Sequence, residues 1–264
     1  AVPVGVLELA PDLIADVRRT VWLPHHRALV VPDVHLGFAW VQRKRGQLLP
    51  VGLPDDTLNR LAELQQDYRA ERIVFLGDLV HGAAEIDALR ESLAELTGRL
   101  LKAAALPPEL ILVLGNHDHR LPPLLVAWKL PIRVVPWLDL GRFRLLHGHE
   151  PAPVEALEPT DRLLVIGHEH PSVELGDGVA SRVKCPAFAL ADDTLVVPAF
   201  SEWAAGCNLR RRDFLGPVAR AARFHSVVAC MGPRLLKLPF ARVSGHHPEP
   251  AGRPPSLPLG AEER

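Results

Sequence analysis

Leu110-Ile111-Leu112-Val113-Leu114-Gly115-Asn116-His117-Asp118-His119 decides the fold. Its five apolar residues, bounded by Pro107-Pro108 on one side and Gly115 on the other, break directly into ligand-type side chains. A short continuous apolar run of this kind reads as a strand buried on both faces, as in a parallel sheet. In an open α/β sheet, ligands bind beyond the carboxyl ends of the strands, so a polar cluster at that position marks a site. An isolated Gly-Asn-His-Asp also suits a turn leading into a helix. The choice between the two rests on whether the design recurs.

It recurs in four other places. Ala28-Leu29-Val30-Val31 runs into Pro32-Asp33-Val34-His35, and Arg72-Ile73-Val74-Phe75-Leu76 into Gly77-Asp78-Leu79-Val80-His81. Arg142 to Leu146 ends in His147-Gly148-His149, and Arg162 to Ile166 in Gly167-His168-Glu169-His170. Asp33 and His35, two residues apart in an extended segment, are expected on the same side. Between these strands a helix is predicted from about Asp55, with Leu58, Leu61, Ala62 and Leu64 inward, and another over 85–105. In the second, Ile86, Leu89, Leu93, Leu96 and Leu100 form a stripe too short for a coiled-coil zipper, so it reads as core.

Strands are further expected at 4–9 and 21–23, at 183–188 and 195–200, and in a hairpin (227–230 and 235–238) turning at Met231-Gly232-Pro233-Arg234. Strand alternates with helix up to the middle of the chain, and strand then follows strand, which is an α/β pattern. Residues 1–244 are expected to form the folded domain. Residues 245–264, with Pro248, Pro250, Pro254, Pro255 and Pro258, are expected to form a flexible or surface-wrapping tail.

With 30 Lys plus Arg against 31 Asp plus Glu, the net charge of -1 points to neither a nucleic-acid nor a membrane partner, so any basic surface must be local. Arg43-Lys44-Arg45 is one such run. The stretch 208–243 is a second, with Arg210, Arg211, Arg212, Arg220, Arg223, Arg234, Lys237 and Arg242 against Asp213. Three widely spaced cysteines, Cys185, Cys207 and Cys230, exclude a disulfide framework or a zinc ribbon. No signal peptide or membrane span is visible, so a soluble cytoplasmic protein is expected.

Of 13 histidines, eight (His35, His81, His117, His119, His147, His149, His168, His170) lie at or near strand ends that also carry Asp33, Asp78 and Asn116. Imidazole and carboxylate without thiolate suit manganese, iron or zinc better than a structural cysteine-rich zinc site. So many candidate ligands favour two metals over one. A pair about 3.5 to 4 Å apart can hold a hydroxide, a phosphoryl oxygen and the leaving group of an in-line displacement, which is the chemistry of phosphoester hydrolysis.

Asp33-x-His35, Gly77-Asp78, Gly115-Asn116-His117-Asp118, His147-Gly148 and Gly167-His168-x-His170 resemble the five ordered motifs of the calcineurin-like metallophosphoesterase superfamily. The resemblance implies a four-layer αββα sandwich of two mixed sheets flanked by helices, with the motifs on loops at one edge. It also implies two divalent ions. Asp33, His35, Asp78 and His170 would hold the first, and Asp78, Asn116, His147 and His168 the second, with Asp78 bridging. His117 would contact the phosphate and protonate the leaving oxygen. His149 is the other candidate for the fourth-motif ligand, although the His-Gly pattern favours His147.

The segment from Leu36 to Gly46, Gly77-Asp78-Leu79-Val80-His81, Cys185-Pro186-Ala187-Phe188 and Val197-Pro198-Ala199-Phe200 are similar to the bacterial DNA-ligase-associated metallophosphoesterases. That narrower resemblance implies a manganese-dependent phosphodiesterase or DNA endonuclease of repair, with iron, zinc or magnesium as other metals and a DNA ligase or helicase as partner. Arg43, Lys44, Arg45, His81 and His149 are then the candidate substrate-binding residues. Ser201 to Gly206 follows that subfamily's Gly-rich segment only loosely, and His119 stands where its members carry Arg. A small-molecule phosphomonoesterase, a cyclic-nucleotide phosphodiesterase and a non-catalytic repair scaffold are the alternatives. Seven retained ligands argue against the last.

Overall fold

The computed structural model describes residues 5–44, 46, 54–82, 86–152, 162–176, 182–204 and 206–243. The tail 245–264 and Arg45 lie outside them.

The first sheet has seven strands in chain order: β1 (Val6–Ala10), β2 (Leu13–Asp16), β3 (Thr20–Leu23), β4 (Ala28–Pro32), β5 (Arg72–Leu76), β6 (Glu109–Val113) and β7 (Ile132–Val135). The first four pair antiparallel and the last four parallel. Its helices are α1 (Phe38–Lys44), α2 (Pro54–Tyr68), α3 (Ile86–Lys102) and α4 (Leu121–Ala127). The second sheet has eight strands: β8 (Leu138–Leu140), β9 (Phe143–Leu146), β10 (Leu163–Ile166), β11 (Ser172–Gly176), β12 (Arg182–Ala191), β13 (Thr194–Val196), β14 (Phe224–Met231) and β15 (Arg234–Pro239). They run in the order β15-β14-β12-β13-β10-β9-β8, with β11 beside β12. Two further short helices, α5 (Pro217–Ala221) and α6 (Phe240–Val243), lie among the described residues.

The apolar runs work because successive side chains on a strand face opposite ways. Leu29, Val31, Ile73, Phe75, Leu110 and Leu112 pack against Leu58, Leu61 and Leu64 of α2, Leu93 and Leu96 of α3, and α4. The residues between them, Val30, Val74, Leu76, Ile111 and Val113, meet Phe143, Leu145, Val165, Phe188 and Val228 of the second sheet. A third core lies behind that sheet, where Leu164, Ile166, Ala187 and Val227 pack under Leu209, Phe214, Val218 and Phe240. Two mixed sheets therefore stack face to face and are flanked by helices, as the motifs implied.

Some local expectations change. Ile86 is exposed rather than part of the α3 stripe, which begins at Leu89. The strand expected over 195–200 stops at Val196, because Phe200 N–H turns to donate to the Pro32 carbonyl of the other sheet. β2, β7, β8 and β11 are short strands that the apolar pattern did not announce.

Candidate metal centre

Parallel register brings the ligand loops level. Pro32 pairs with Leu76 and Leu76 with Val113, so the loops carrying Asp33, Asp78 and Asn116 leave the first sheet side by side. Leu146 pairs with Ile166, which does the same for His147 and His168 in the second sheet.

Asp33 and His35 do not lie in extended backbone, so the expected same-side alternation is not what places them. Both are left-handed, with φ of 45° and 51°, as is Asp78 at 46°. The next loop dictates this path: His35 N–H donates to the Asp78 carbonyl (2.9 Å), Leu36 N–H to that of Leu79 (2.9 Å) and His81 N–H to that of Leu36 (2.9 Å). His168 and His170 are left-handed too, at 67° and 46°. Such conformations cost about 1–3 kcal/mol each and persist only where surrounding contacts over-determine them.

Glycines let the loops interlock. A Cβ on Gly77 would strike the His147 ring and one on Gly115 the Asp78 carboxylate, while one on Gly167 would lie 2.6 Å from Asp33 Oδ2. These three glycines are therefore explained by a donor residue of another loop occupying the missing side chain, whereas Gly148, beside His147, faces Ile166.

Two groups of donors result, Asp33-His35-His170 and Asp78-His147-His168, each with its ligand atoms within 4.8 Å of one another. His170 Nε2 lies 3.2 Å from Asp33 Oδ1 and 3.2 Å from His35 Nε2. His147 Nε2 lies 3.3 Å from Asp78 Oδ2 and 3.1 Å from Asn116 Oδ1. Asp78 Oδ2 is also 4.0 Å from His35 Nε2, so it stands between the groups. His168 N–H donates to both Asp33 oxygens, Oδ2 at 3.1 Å and Oδ1 at 3.3 Å, and His117 N–H to Asp78 Oδ1 (2.9 Å), with Asp78 Oδ2 facing His147 and His35.

Burial pushes the Asp33 carboxyl up, but His170, His147 and His35 together outweigh it and hold it below the ordinary value. Asp78 follows the same balance, with His147 as its main partner and the net direction down. Burial brings His35 down to about 3 and His168 to about 4. For His147, burial lowers the pKa, but Asp78 and Asp33 lift it to about 9. Ionised carboxylates facing neutral imidazoles are the protonation state metal ligands need, and the His147 proton is the one a cation would displace. The donor set therefore fits two borderline divalent ions.

A family model for calcineurin-like phosphoesterases matches residues 26–193. The chain belongs to the calcineurin-like phosphoesterase family. It is thus a metal-dependent phosphoesterase, of a family that uses two divalent ions. Among solved structures, the Pseudomonas putida nuclease MPE matches with a TM-score of 0.64 at 24% identity, over 89% of this chain and 99% of that one. A protein of unknown function from Aquifex aeolicus, AQ665, matches with a TM-score of 0.34 at 18% identity, over 53% and 77%. No curated protein matches the sequence.

A cleft of about 740 Å³ opens onto the two donor groups of this phosphoesterase, lined by His35, Asp78, Asn116, His117, His168 and His170. His117 is half-exposed, its ring stacked on His81 at 4.8 Å between centres. His81 also lines the cleft, with Nδ1 3.2 Å from His35 Nδ1. His149 packs beside His147 at 5.2 Å between ring centres, outside the lining. Arg43 and Lys44 sit exposed on α1 and do not line the cleft, and Arg45 lies outside the described residues. The cations that do line it are Lys184 of β12 and Arg211.

Three further residues shape the site. Asp118 is buried and accepts from Val80 N–H (3.2 Å) and Gly115 N–H (3.1 Å), tying the second motif to the third; burial and Asp78 lift it to about 7. Glu169 is 1% exposed and accepts from Leu215 N–H (2.7 Å) and Gly216 N–H (2.6 Å), so the outer wall of the cleft hangs on the residue between two ligand histidines. Glu169 also lines the cleft, and its place between His168 and His170 was a pointer to it in the sequence. Lys184 carried no comparable signal in the sequence.

No helix among the described residues is long and apolar enough to cross a membrane.

Proposed function

We propose that this phosphoesterase is a phosphodiesterase acting on nucleic acid, and specifically a DNA endonuclease of repair, with manganese as the first candidate metal. The observation that supports it most is the shape of the site. Both donor groups lie at the floor of an open cleft whose walls present Lys184 and Arg211 beside Glu174 and Asp213, with room that a phosphomonoester or a cyclic nucleotide leaves unused. The match to a Pseudomonas putida nuclease over nearly its whole length agrees with this reading.

Asp33, His35 and His170, with Asp78, would hold one ion, and Asp78, Asn116, His147 and His168 the other. Two such ions polarise a phosphoryl oxygen and lower the pKa of an attacking water. His117 stands at the mouth and donates its ring proton to the leaving oxygen, a role usually worth about 100- to 10,000-fold in rate. Its orientation is set by its N–H bond to Asp78 and by stacking on His81. Lys184 and Arg211 neutralise phosphates next to the scissile one. Arg43, Lys44 and Arg45 are assigned to phosphates further along a polymer, and a DNA ligase or helicase is the partner the subfamily resemblance suggests.

The test is product analysis with manganese-loaded protein on single-stranded, duplex and gapped oligonucleotides, beside a phosphomonoester and a cyclic nucleotide. Internal cleavage is expected, with rates that fall steeply as salt rises because counterions are released on binding. Replacing Arg43, Lys44 and Arg45 by Ala should flatten that slope. Turnover of the monoester or cyclic nucleotide alone would overturn the nuclease reading.

A further inference from the structure

A second cleft, of about 330 Å³, lies against the first and shares His170 and Lys184 with it. Its far side is formed by Arg19, from the turn joining β2 to β3, and by Ser172, Ser201 and Glu202. None of these residues belongs to a ligand motif. The space suffices for a small-molecule group, sites for which begin at roughly 300 Å³.

Arg19 is the informative member. Its neighbours are matched with carboxylates: Arg18 pairs with Asp16 at 2.7 Å and Asp67 at 2.6 Å, and Arg60 with Glu202 at 3.7 Å. Arg19 donates one hydrogen bond, to the Ser201 carbonyl (3.1 Å), and forms no ion pair among the described residues. Its placement is held by the turn, where Arg19 N–H donates to the Asp16 carbonyl (2.8 Å) and Asp16 Oδ1 accepts from Arg18 N–H (2.8 Å). Ser201 is in turn tied to the metal loop, its N–H donating to the Asp33 carbonyl (3.1 Å). A half-buried guanidinium without a counter-ion, positioned from a rigid turn and facing a cavity continuous with the metal centre, is built for an anion. A phosphate also fits the bidentate geometry of arginine.

We propose that this second cleft is a subsite for the unit of substrate adjoining the scissile diester, with Arg19 contacting the phosphate next to the one hydrolysed. It rests on the phosphodiesterase reading above and adds to it a requirement on the substrate: at least one further phosphate beside the bond that is cut. The path runs from Arg211 across the metal centre and past Lys184 to Arg19.

Two pairs of substrates, each sharing one scissile ester, test it. The first is thymidine 5′-(p-nitrophenyl phosphate) with and without a 3′-phosphate, and the second is thymidine 3′-(p-nitrophenyl phosphate) with and without a 5′-phosphate. With manganese-loaded wild type, the extra phosphate should lower KM about tenfold in one of the pairs, as expected for a charge-assisted contact. Arg19→Ala should bring that ratio close to one, and Arg19→Lys should keep part of it, each variant being checked for a wild-type melting temperature. A preference that survives Arg19→Ala in a folded variant, or no preference in either pair, would overturn the subsite alone. Absence of turnover on all four compounds would overturn the phosphodiesterase reading, and the subsite with it.

Discussion

In the first sheet the ligand loops hold one another, whereas in the second they are also held from behind. The loops after β4, β5 and β6 are tied by His35 N–H to the Asp78 carbonyl and by Asp118 to Val80 and Gly115. The loop after β10 donates from His168 N–H to Asp33 and also reaches outward, through Glu169, to Leu215 and Gly216. Chemistry divides the same way: Asp33, Asp78 and Asn116 come from the first sheet with His35, and the second contributes imidazoles alone. The first edge therefore sets charge and spacing, while the second sets geometry and couples the metal centre to the cleft wall. Damage to the two edges should look different.

The largest effect is expected at Asp78, which stands between the donor groups. Asp78→Ala should remove both ions and reduce activity by more than the general-acid range of about 100- to 10,000-fold. His168→Ala, on the second edge, should leave one ion bound. Metal analysis of the purified variants checks this, and equal stoichiometry in the two would erase the distinction between the edges.

Next is His117, which touches no second-sheet ligand directly. His117→Ala should retain the metals and lose about 100- to 10,000-fold on an alkyl leaving group, with a smaller loss on a nitrophenolate that needs less protonation. Rates on the two leaving groups decide it, since equal losses would make His117 a phosphate contact rather than an acid.

The smallest effect belongs to Glu169. Truncation to Ala strands the buried Gly216 N–H, a cost of about 1–3 kcal/mol in stability, and should loosen the wall carrying the exposed Leu215. Metal content should be preserved while KM for an oligonucleotide rises more than kcat falls. Should Glu169→Ala instead release a metal, the second edge would be holding its ligands as tightly as the first.

Much of this was readable from the chain. The runs 28–31, 72–76, 110–114, 142–146 and 162–166 became the strands whose ends meet at the site, because a strand buried on both faces is apolar over most of its length; the buried Arg144 is accommodated by its ion pair with Asp139. Leu89, Leu93, Leu96 and Leu100 became the inner face of α3 for the matching reason of helical period. β7, β8 and β11 escaped because they are four, three and five residues long and only partly buried. Their pairing is decided by neighbours rather than by their own pattern. Arg43-Lys44-Arg45 drew attention as a contiguous charge run, yet Arg43 and Lys44 are exposed on α1, while Arg211 of the second basic stretch and the isolated Lys184 line the first cleft, and Arg19 lines the second.

The sequence by itself determined the kind of chemistry: side chains that ligate hard or borderline cations were placed after apolar strands, and both features are local. Only the tertiary structure decided how those ligands face one another. Asp33, His35 and Asp78 take left-handed backbone because hydrogen bonds across 40 or more residues impose it. Gly77, Gly115 and Gly167 are glycines because a ligand from a distant loop fills the space beside each. The cations of the cleft likewise come from a hairpin turn, a strand and a loop far apart in sequence, since charge reaches a site through the packing of whole elements rather than through proximity along the chain.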